Sequence, residues 1–537
     1  MTKRAALLVA AVGSTCCLTP GCAPTRRPIG TEAAPALGSE RRVTVDRGVL
    51  MGTRGPHGAT AFLGVPYAEP PTGEWRWKPP RPAESWSGAR AAAKLGPACP
   101  QIDRWEKIRP LVVTSLGGDP SAVPPLGPPR LGPTSEDCLS LNVWTPDLGG
   151  ATKRPVMVWI HGGSFAEGSG GEDAAALAPL GVVVVTINYR LGMLGFLAHP
   201  ALTSESLHHA SGNYGLLDQI EALRWVRRNI AAFGGDANRV TIFGHSAGAD
   251  SVLQLLASPL ARGLFQRAVA QSSSLGESLP LAEAERQGVD VANRLGAPAA
   301  DPLSALRGES VERLLSTAPG GFEPTTDGWL LPEPVPKVFA AGRTDGVPLL
   351  VGATANEWAI FAMHSPPAND QQTYRELLRK AGDSRVDRLL ASYPASRNED
   401  VPAAAIRYLT DRDFVCPARW VAAERRDRTW FYRVSAPPAA GPAAARYGAV
   451  HGSEVRLLFN QVMGIPLGDT GVRVGDAMRR YWTQFAATGD PNVAGLPNWP
   501  LYERAKPRHL ELGDPIRALA GLGNAGCDVF DETQSAQ

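Results

Sequence analysis

The 537-residue chain has no excess of either charge: 54 Lys and Arg stand against 52 Asp and Glu, a formal net charge of +2. Without a dominant sign there is no electrostatic footprint for nucleic acid, which is set aside as a partner. Beyond the opening residues no apolar run approaches the ~18 residues that suggest a membrane-spanning helix. No internal repeat is visible, which excludes solenoids and propellers. Cysteine is scarce, with seven residues, no Cys-x-x-Cys pair and no Cys/His cluster. A disulfide scaffold and a zinc site are therefore not expected. What is plentiful is Gly (57) and Pro (48), together about a fifth of the chain. That suits long ordered loops better than a helical bundle. Hydrophobic residues make up 44%, enough to bury a large core. At roughly 150 residues per domain the length allows three or four domains. No composition break inside 41–537 marks a boundary, so one large domain is expected there.

Residues 1–22 read as an export signal. Lys3 and Arg4 precede the apolar stretch Ala5 to Val12, which is too short to span a bilayer. Cys22 follows Gly21, as in a lipoprotein signal, but Thr19 stands where an aliphatic residue is usual. The sequence leaves lipidation at Cys22 open; it would attach the chain to a membrane at the cell surface. Residues 23–40, rich in Pro, Ala, Thr and Gly, are expected to be a disordered linker. Export changes the cysteine count. Cys16, Cys17 and Cys22 belong to the signal region, leaving Cys99, Cys138, Cys416 and Cys527. Four cysteines in an oxidising compartment suggest two disulfides, and the sequence alone does not choose among the three pairings.

Short apolar, β-branched runs at Pro155 to Ile160 and Val182 to Asn188 predict buried strands of a mostly parallel sheet. Asp218 to Ala232 has apolar residues at helical spacing (Ile220, Leu223, Val226, Ile230), and Phe233-Gly234-Gly235 stops it. Arg239 to Phe243 predicts a strand and Ala247 to Ala257 a helix. Further strands are expected at Ala268 to Gln271, Leu349 to Gly352 and Trp430 to Val434. This alternation implies an α/β sheet with helices on both faces. The Pro-rich stretches Gly118 to Pro133 and Pro437 to Ala445 are expected to be surface loops.

Gly244-His245-Ser246-Ala247-Gly248 is a G-x-S-x-G sequence between a strand and a helix. In that context a sharp turn exposes the serine hydroxyl, and flanking side chains would clash with the crossing elements. The helix after Ser246 also points N–H groups at developing negative charge. A serine needs a base and an orienting acid. Three histidines follow it: His364, His451 and His509. His451, among small neighbours in Gly448-Ala449-Val450-His451-Gly452, is the best placed. Glu357, just beyond the strand Leu349 to Gly352, is the candidate acid. His161-Gly162-Gly163-Ser164 follows the strand Pro155 to Ile160, where glycines let N–H groups approach a tetrahedral intermediate.

Taken together these residues resemble the type-B carboxylesterase family, which includes para-nitrobenzyl esterase-like enzymes and cholinesterases. The resemblance runs from about residue 43 to the C-terminal region. It is carried by Ala61 to Pro71 (AFLGVPYAEPP), Ser135 to Leu139 with Leu141 to Val143, Trp159 to Gly163, Gly212-Asn213, and Asp218-Gln219 with Ala222-Leu223 running into Phe233 to Asp236. Gln271-Ser272, Gly489 to Asn492 and Trp499-Pro500 add to it. It implies an α/β-hydrolase fold, a large mostly parallel central sheet with helices on both faces.

The resemblance further implies Ser246 as nucleophile, Glu357 as acid and His451 as base. Gly163, Ser164 and Ala247 fall on oxyanion-hole positions, with Gly162 supporting the turn. Ser164 stands where the family often has a third Gly, and His245 where it often has Glu. Glu454 matches a buried carboxylate of a secondary network. The resemblance pairs Cys99 with Cys138 and Cys416 with Cys527, and places a salt bridge between Arg76 and Glu136. It implies no metal and no organic cofactor. The cholinesterase cation-binding aromatic does not align; Trp105 lies in the corresponding loop and reads as a rim or packing residue. The expected reaction is two-step acyl transfer to water on a small uncharged ester. A non-catalytic adhesion relative, or the same triad on an amide, carbamate or thioester, are the alternatives. The oligomeric state is not determined.

Overall fold

The computed structural model describes residues 41–537 except 104–105, 107–108, 117–133, 151, 277, 319–320, 460–465, 522–524 and 535–537. The signal, the linker, Cys22, Trp105 and all of the expected loop 118–133 thus lie outside the described residues. Eleven strands share one sheet: β1 (Thr53–Arg54), β2 (Thr60–Pro66), β3 (Ser140–Thr145), β4 (Arg154–Ile160), β5 (Val183–Ile187), β6 (Gly235–His245), β7 (Arg267–Gln271), β8 (Leu349–Thr354), β9 (Thr429–Val434), β10 (Arg508–Leu512) and β11 (Arg517–Ala520). Their spatial order is β11-β10-β9-β8-β7-β6-β4-β5-β3-β2-β1. Neighbours from β10 to β5 are all parallel, and antiparallel pairs occur only toward the two edges.

The strand sequences explain this placement. Every residue of β5 (VVVTI) is buried, as a strand covered on both faces requires. Alternate residues of β4 enter different cores. Val156, Val158 and Ile160 pack with helices α1 (Tyr214–Asn229) and α2 (Ala247–Ala257). Met157 and Trp159 pack with α3 (Ser453–Phe459) and α4 (Asp469–Thr488). Between β8 and β9 an all-helical insertion, Gln371 to Thr410, builds its own small core around Tyr374, Leu378 and Val401. Val529 of the last helix, α5 (Ala525–Gln534), joins that core.

Two expectations shift. α1 begins four residues before Asp218 and ends at Asn229, followed by a 3₁₀ turn and Gly234 at φ 81°. Its start carries no side-chain cap. The Asn213 side chain instead holds Thr325 and Asp327 across the fold. The second expected loop, 437–445, turns into a short helix at Pro442–Tyr447, with Pro in its first turn.

Register sets where the loops emerge. Ile160 pairs with Gly244, His245 with Gln271, and Gln271 with Gly352. The carboxyl ends of β4, β6, β7 and β8 are therefore level. The chain goes from β4 to β5 on one side and then to β6 on the other, so a crevice opens between β4 and β6, the usual place for a ligand in such a sheet.

Candidate active site

Ser246 stands on the turn between β6 and α2 with φ 56° and ψ −128°. A positive φ on a residue with a Cβ costs of order 1–3 kcal/mol and persists only where surroundings enforce it. Here they do. The Ser246 N–H donates to Gln271 O at 2.9 Å, and Ser246 O accepts from Ala249 and Asp250 N–H at 2.7 and 2.9 Å. A Cβ on Gly244 would lie 2.4 Å from Gly248 O, and one on Gly248 would lie 2.1 Å from Ile160 O. The motif's glycines are thus a matter of space between strand and helix.

His451 lies in the loop after Gly448, and its Nδ1 is 2.6 Å from Glu357 Oε2. Glu357 is fully buried and follows β8. Its Oε1 accepts from the Thr354 N–H and the Ser272 hydroxyl, each at 2.6 Å. Because Nδ1 faces a carboxylate, it carries the hydrogen and Nε2 is left as acceptor. Phe414 and Phe361 flank the imidazole with ring centroids at 4.9 and 5.3 Å.

One cavity of about 260 Å³ is lined by Ser246, His451, His161, Gly162, Gly163 and Ser164. Among the described residues the N–H groups of Gly163, Ser164 and Ala247 donate to no protein acceptor. Gly163 has φ 113°, and a Cβ there would sit 2.2 Å from Glu167 O. Gly162 lies against the nucleophile turn, its would-be Cβ 2.5 Å from His245 O. Leu116, Ile360, Phe361, Val450 and Val455 supply apolar wall, and Glu167, Glu172 and Arg456 also line the space. Burial lowers the His161 pKa to about 4, so this ring is neutral at pH 7; it stacks on Tyr189 at 4.3 Å. The other two histidines are elsewhere. His364 is exposed, and His509 is buried in β10 beside Glu511.

The sequence profile of the carboxylesterase family matches residues 39–530. The chain belongs to that family. This carboxylesterase is 36% identical over 510 residues to the fumonisin B1 esterase of Sphingopyxis macrogoltabida, covering 89% of this chain and 87% of that one. It is 34% identical over 503 residues to the para-nitrobenzyl esterase of Bacillus subtilis (strain 168), covering 88% and 95%. A solved para-nitrobenzyl esterase superposes with a TM-score of 0.78 at 32% identity, over 92% of this chain and 99% of that one. A thermophilic counterpart gives 0.76 at 32% identity. The carboxylesterase thus has the α/β-hydrolase fold and is a carboxylic-ester hydrolase.

The other pairings implied by the resemblance are also present. Cys99 bonds Cys138 and Cys416 bonds Cys527. Arg76 grips Glu136 with two hydrogen bonds, of 2.6 and 2.7 Å, while its Nη1 holds the carbonyls of Arg307 and Glu309. Glu454 is fully buried; its Oε1 accepts from the Tyr432 hydroxyl at 2.7 Å, and its Oε2 is 2.6 Å from Ser272 Oγ.

Several carboxylesterase residues were not singled out for a role from sequence. In the sequence Ser272 stands out only as part of the family-like pair Gln271-Ser272. Asp250, in the first turn of α2, collects Ser273 Oγ, Ser274 N and Oγ, and Gly276 N, and so fixes the loop after β7. Phe414 sits 37 positions before the imidazole it touches. No local pattern in the sequence announces such long-range pairs.

Proposed function

We propose that this carboxylesterase cleaves its ester through Ser246, His451 and Glu357 by way of an acyl-enzyme. His451 Nε2 takes the proton of the Ser246 hydroxyl as the oxygen attacks the ester carbonyl. Glu357 holds the Nδ1–H tautomer and stabilises the imidazolium. The N–H groups of Gly163, Ser164 and Ala247 receive the oxyanion, a term worth about 10²–10³ in rate per donor. The imidazolium then gives its proton to the departing alkoxide, and an alcohol leaves. Water attacks the acyl-enzyme with the same base, releasing the acid and restoring Ser246. The observation that carries this reading is the 2.6 Å contact between His451 and Glu357 in the wall of the cavity that Ser246 lines.

The apolar wall around Leu116, Ile360, Phe361 and Val450 favours a small ester that is uncharged near its carbonyl. We further read the chain as exported by residues 1–22. The two disulfides support an oxidising compartment. Among the described residues no helix is long and apolar enough to cross a membrane. Ser246→Ala is the test of the triad. Loss of short-chain aryl ester hydrolysis and of fluorophosphonate labelling, with unchanged circular dichroism, is expected; retained turnover would refute it.

A further inference from the structure

A second cavity, of about 200 Å³, lies away from Ser246 between the helical insertion and α5. Leu389, Tyr393 and Val529 give it apolar walls, and Lys380, Tyr408 and Arg412 bring polar groups to it. α5 closes against it because residue 526 is glycine: a Cβ there would fall 2.0 Å from the Tyr393 hydroxyl. The Cys416–Cys527 disulfide ties that helix down at the cavity's edge.

The polar groups have unspent donor capacity. Tyr408 is only 3% exposed; its hydroxyl oxygen faces the Arg412 guanidinium, and its hydroxyl hydrogen meets no acceptor among the described residues. A buried hydroxyl hydrogen left so is costly and favours a ligand that brings an acceptor. Arg412 uses Nε and Nη2 on Asp413, at 2.5 and 2.8 Å, and its guanidinium also reaches the Tyr408 hydroxyl oxygen. Its guanidinium carbon is 5.7 Å from the Tyr408 ring centre. Lys380 is exposed and forms no ion pair among the described residues. Two cations and a spare hydroxyl donor beside apolar walls match a carboxylate on an apolar body. Inorganic phosphate would satisfy the donors and leave the walls bare.

Arg412 also stands on a one-turn π-helix, Asp411–Val415. Such turns are rare and frequent at functional sites. Its neighbours reach the catalytic groups. Asp413 Oδ2 accepts from the Trp358 indole N–H at 2.7 Å, and Trp358 directly follows Glu357. Phe414 lies against His451.

We propose that this cavity is a second ligand site, for a small apolar carboxylic acid, and that the bound carboxylate competes with Asp413 for Arg412. The ligand has the chemistry of the acid that ester hydrolysis releases. Its binding draws Arg412 toward the cavity, loosens the Asp413–Trp358 contact beside Glu357, and slows turnover as product feedback.

The test uses the full chain carrying Ser246→Ala, with benzoate as probe and calorimetry as readout. Benzoate is expected to bind at one site, at least tenfold more weakly after Lys380→Glu and not at all after Ala381→Trp. Inorganic phosphate is expected to bind at least tenfold more weakly than benzoate. Equal benzoate affinity in both variants, or phosphate binding as tightly as benzoate, overturns the site. In the chain with Ser246 intact, benzoate should lower kcat as well as raise KM, and Lys380→Glu should remove the effect on kcat. A purely competitive pattern overturns the coupling. If the triad reading fails, turnover in the intact chain does not depend on Ser246, while the binding arm is still read out.

Discussion

The Ser272 hydroxyl lies 2.6 Å from Glu357 Oε1. The same oxygen lies 2.6 Å from Glu454 Oε2. One hydroxyl hydrogen cannot serve two carboxylates, so a second proton must sit between Ser272 and Glu454. Burial first, and the Glu357 charge second, push the Glu454 pKa well up. Glu454 is thus the protonated partner, donating to Ser272 Oγ, which donates to Glu357. Glu454→Gln keeps a donor and should retain most of kcat. Glu454→Ala should lose roughly tenfold or more, from about 1–3 kcal/mol of lost hydrogen bonding. Steady-state kinetics on an aryl ester separates the two.

The same proton makes a stability prediction with a definite sign. Folded Glu454 holds its proton above the ordinary value of 4.5, so the folded state binds more protons than the unfolded one in that window. Stability contributed by this group then falls as pH rises from about 4.5 toward its folded pKa. Gln has no such proton. The Tm of Glu454→Gln relative to the parent chain should therefore rise across that window and level off above it. A difference that is flat with pH would count against a protonated Glu454.

Gly163→Ala puts a Cβ 2.2 Å from a backbone oxygen at φ 113°. The loop must shift, and with it the unpaired N–H groups. The expected result is a drop in kcat of about 10²–10³ with a much smaller change in KM, in a protein whose Tm moves little. A Tm collapse would mean that the glycine serves folding instead.

Cys416 and Cys527 are 111 residues apart in sequence, and Cys99 and Cys138 are 39 apart. Loop-closure entropy assigns about 5 kcal/mol to the first bridge and about 4 to the second. Paired Cys→Ser variants should lose up to these amounts in urea unfolding. Loss of the first should also free α5 and expose it to proteolysis.

Arg190 holds Asp218 by Nε and Nη2, both at 2.7 Å, and both residues are buried. Asp218→Asn leaves a buried guanidinium without its counter-charge. A loss of about 3–5 kcal/mol is expected, read as a lower denaturation midpoint with ester specificity unchanged in the surviving folded enzyme.

How much of this was legible depended on distance along the chain. β4, β5 and the nucleophile turn are built from neighbours in sequence, and their apolar runs and glycines announced them. Ser246, Glu357 and His451 each follow or precede a recognisable local signal, so they could be named before they were seen together. Ser272 could not. Its role comes from β7 lying between β6 and β8, which no stretch of sequence states. Tyr408 and Arg412 lie on consecutive turns whose cavity exists only because α5 returns from the far end of the chain.

The sequence by itself determined the strand–helix alternation, the strained serine turn and the reactive residue types. Each follows from local sterics and periodicity, which act over a few residues. Only the tertiary structure decided the level strand ends, the protonation of Glu454 and the donors facing a second cavity. Those depend on burial and charge between residues far apart in sequence, and desolvation acts only once the chain has folded.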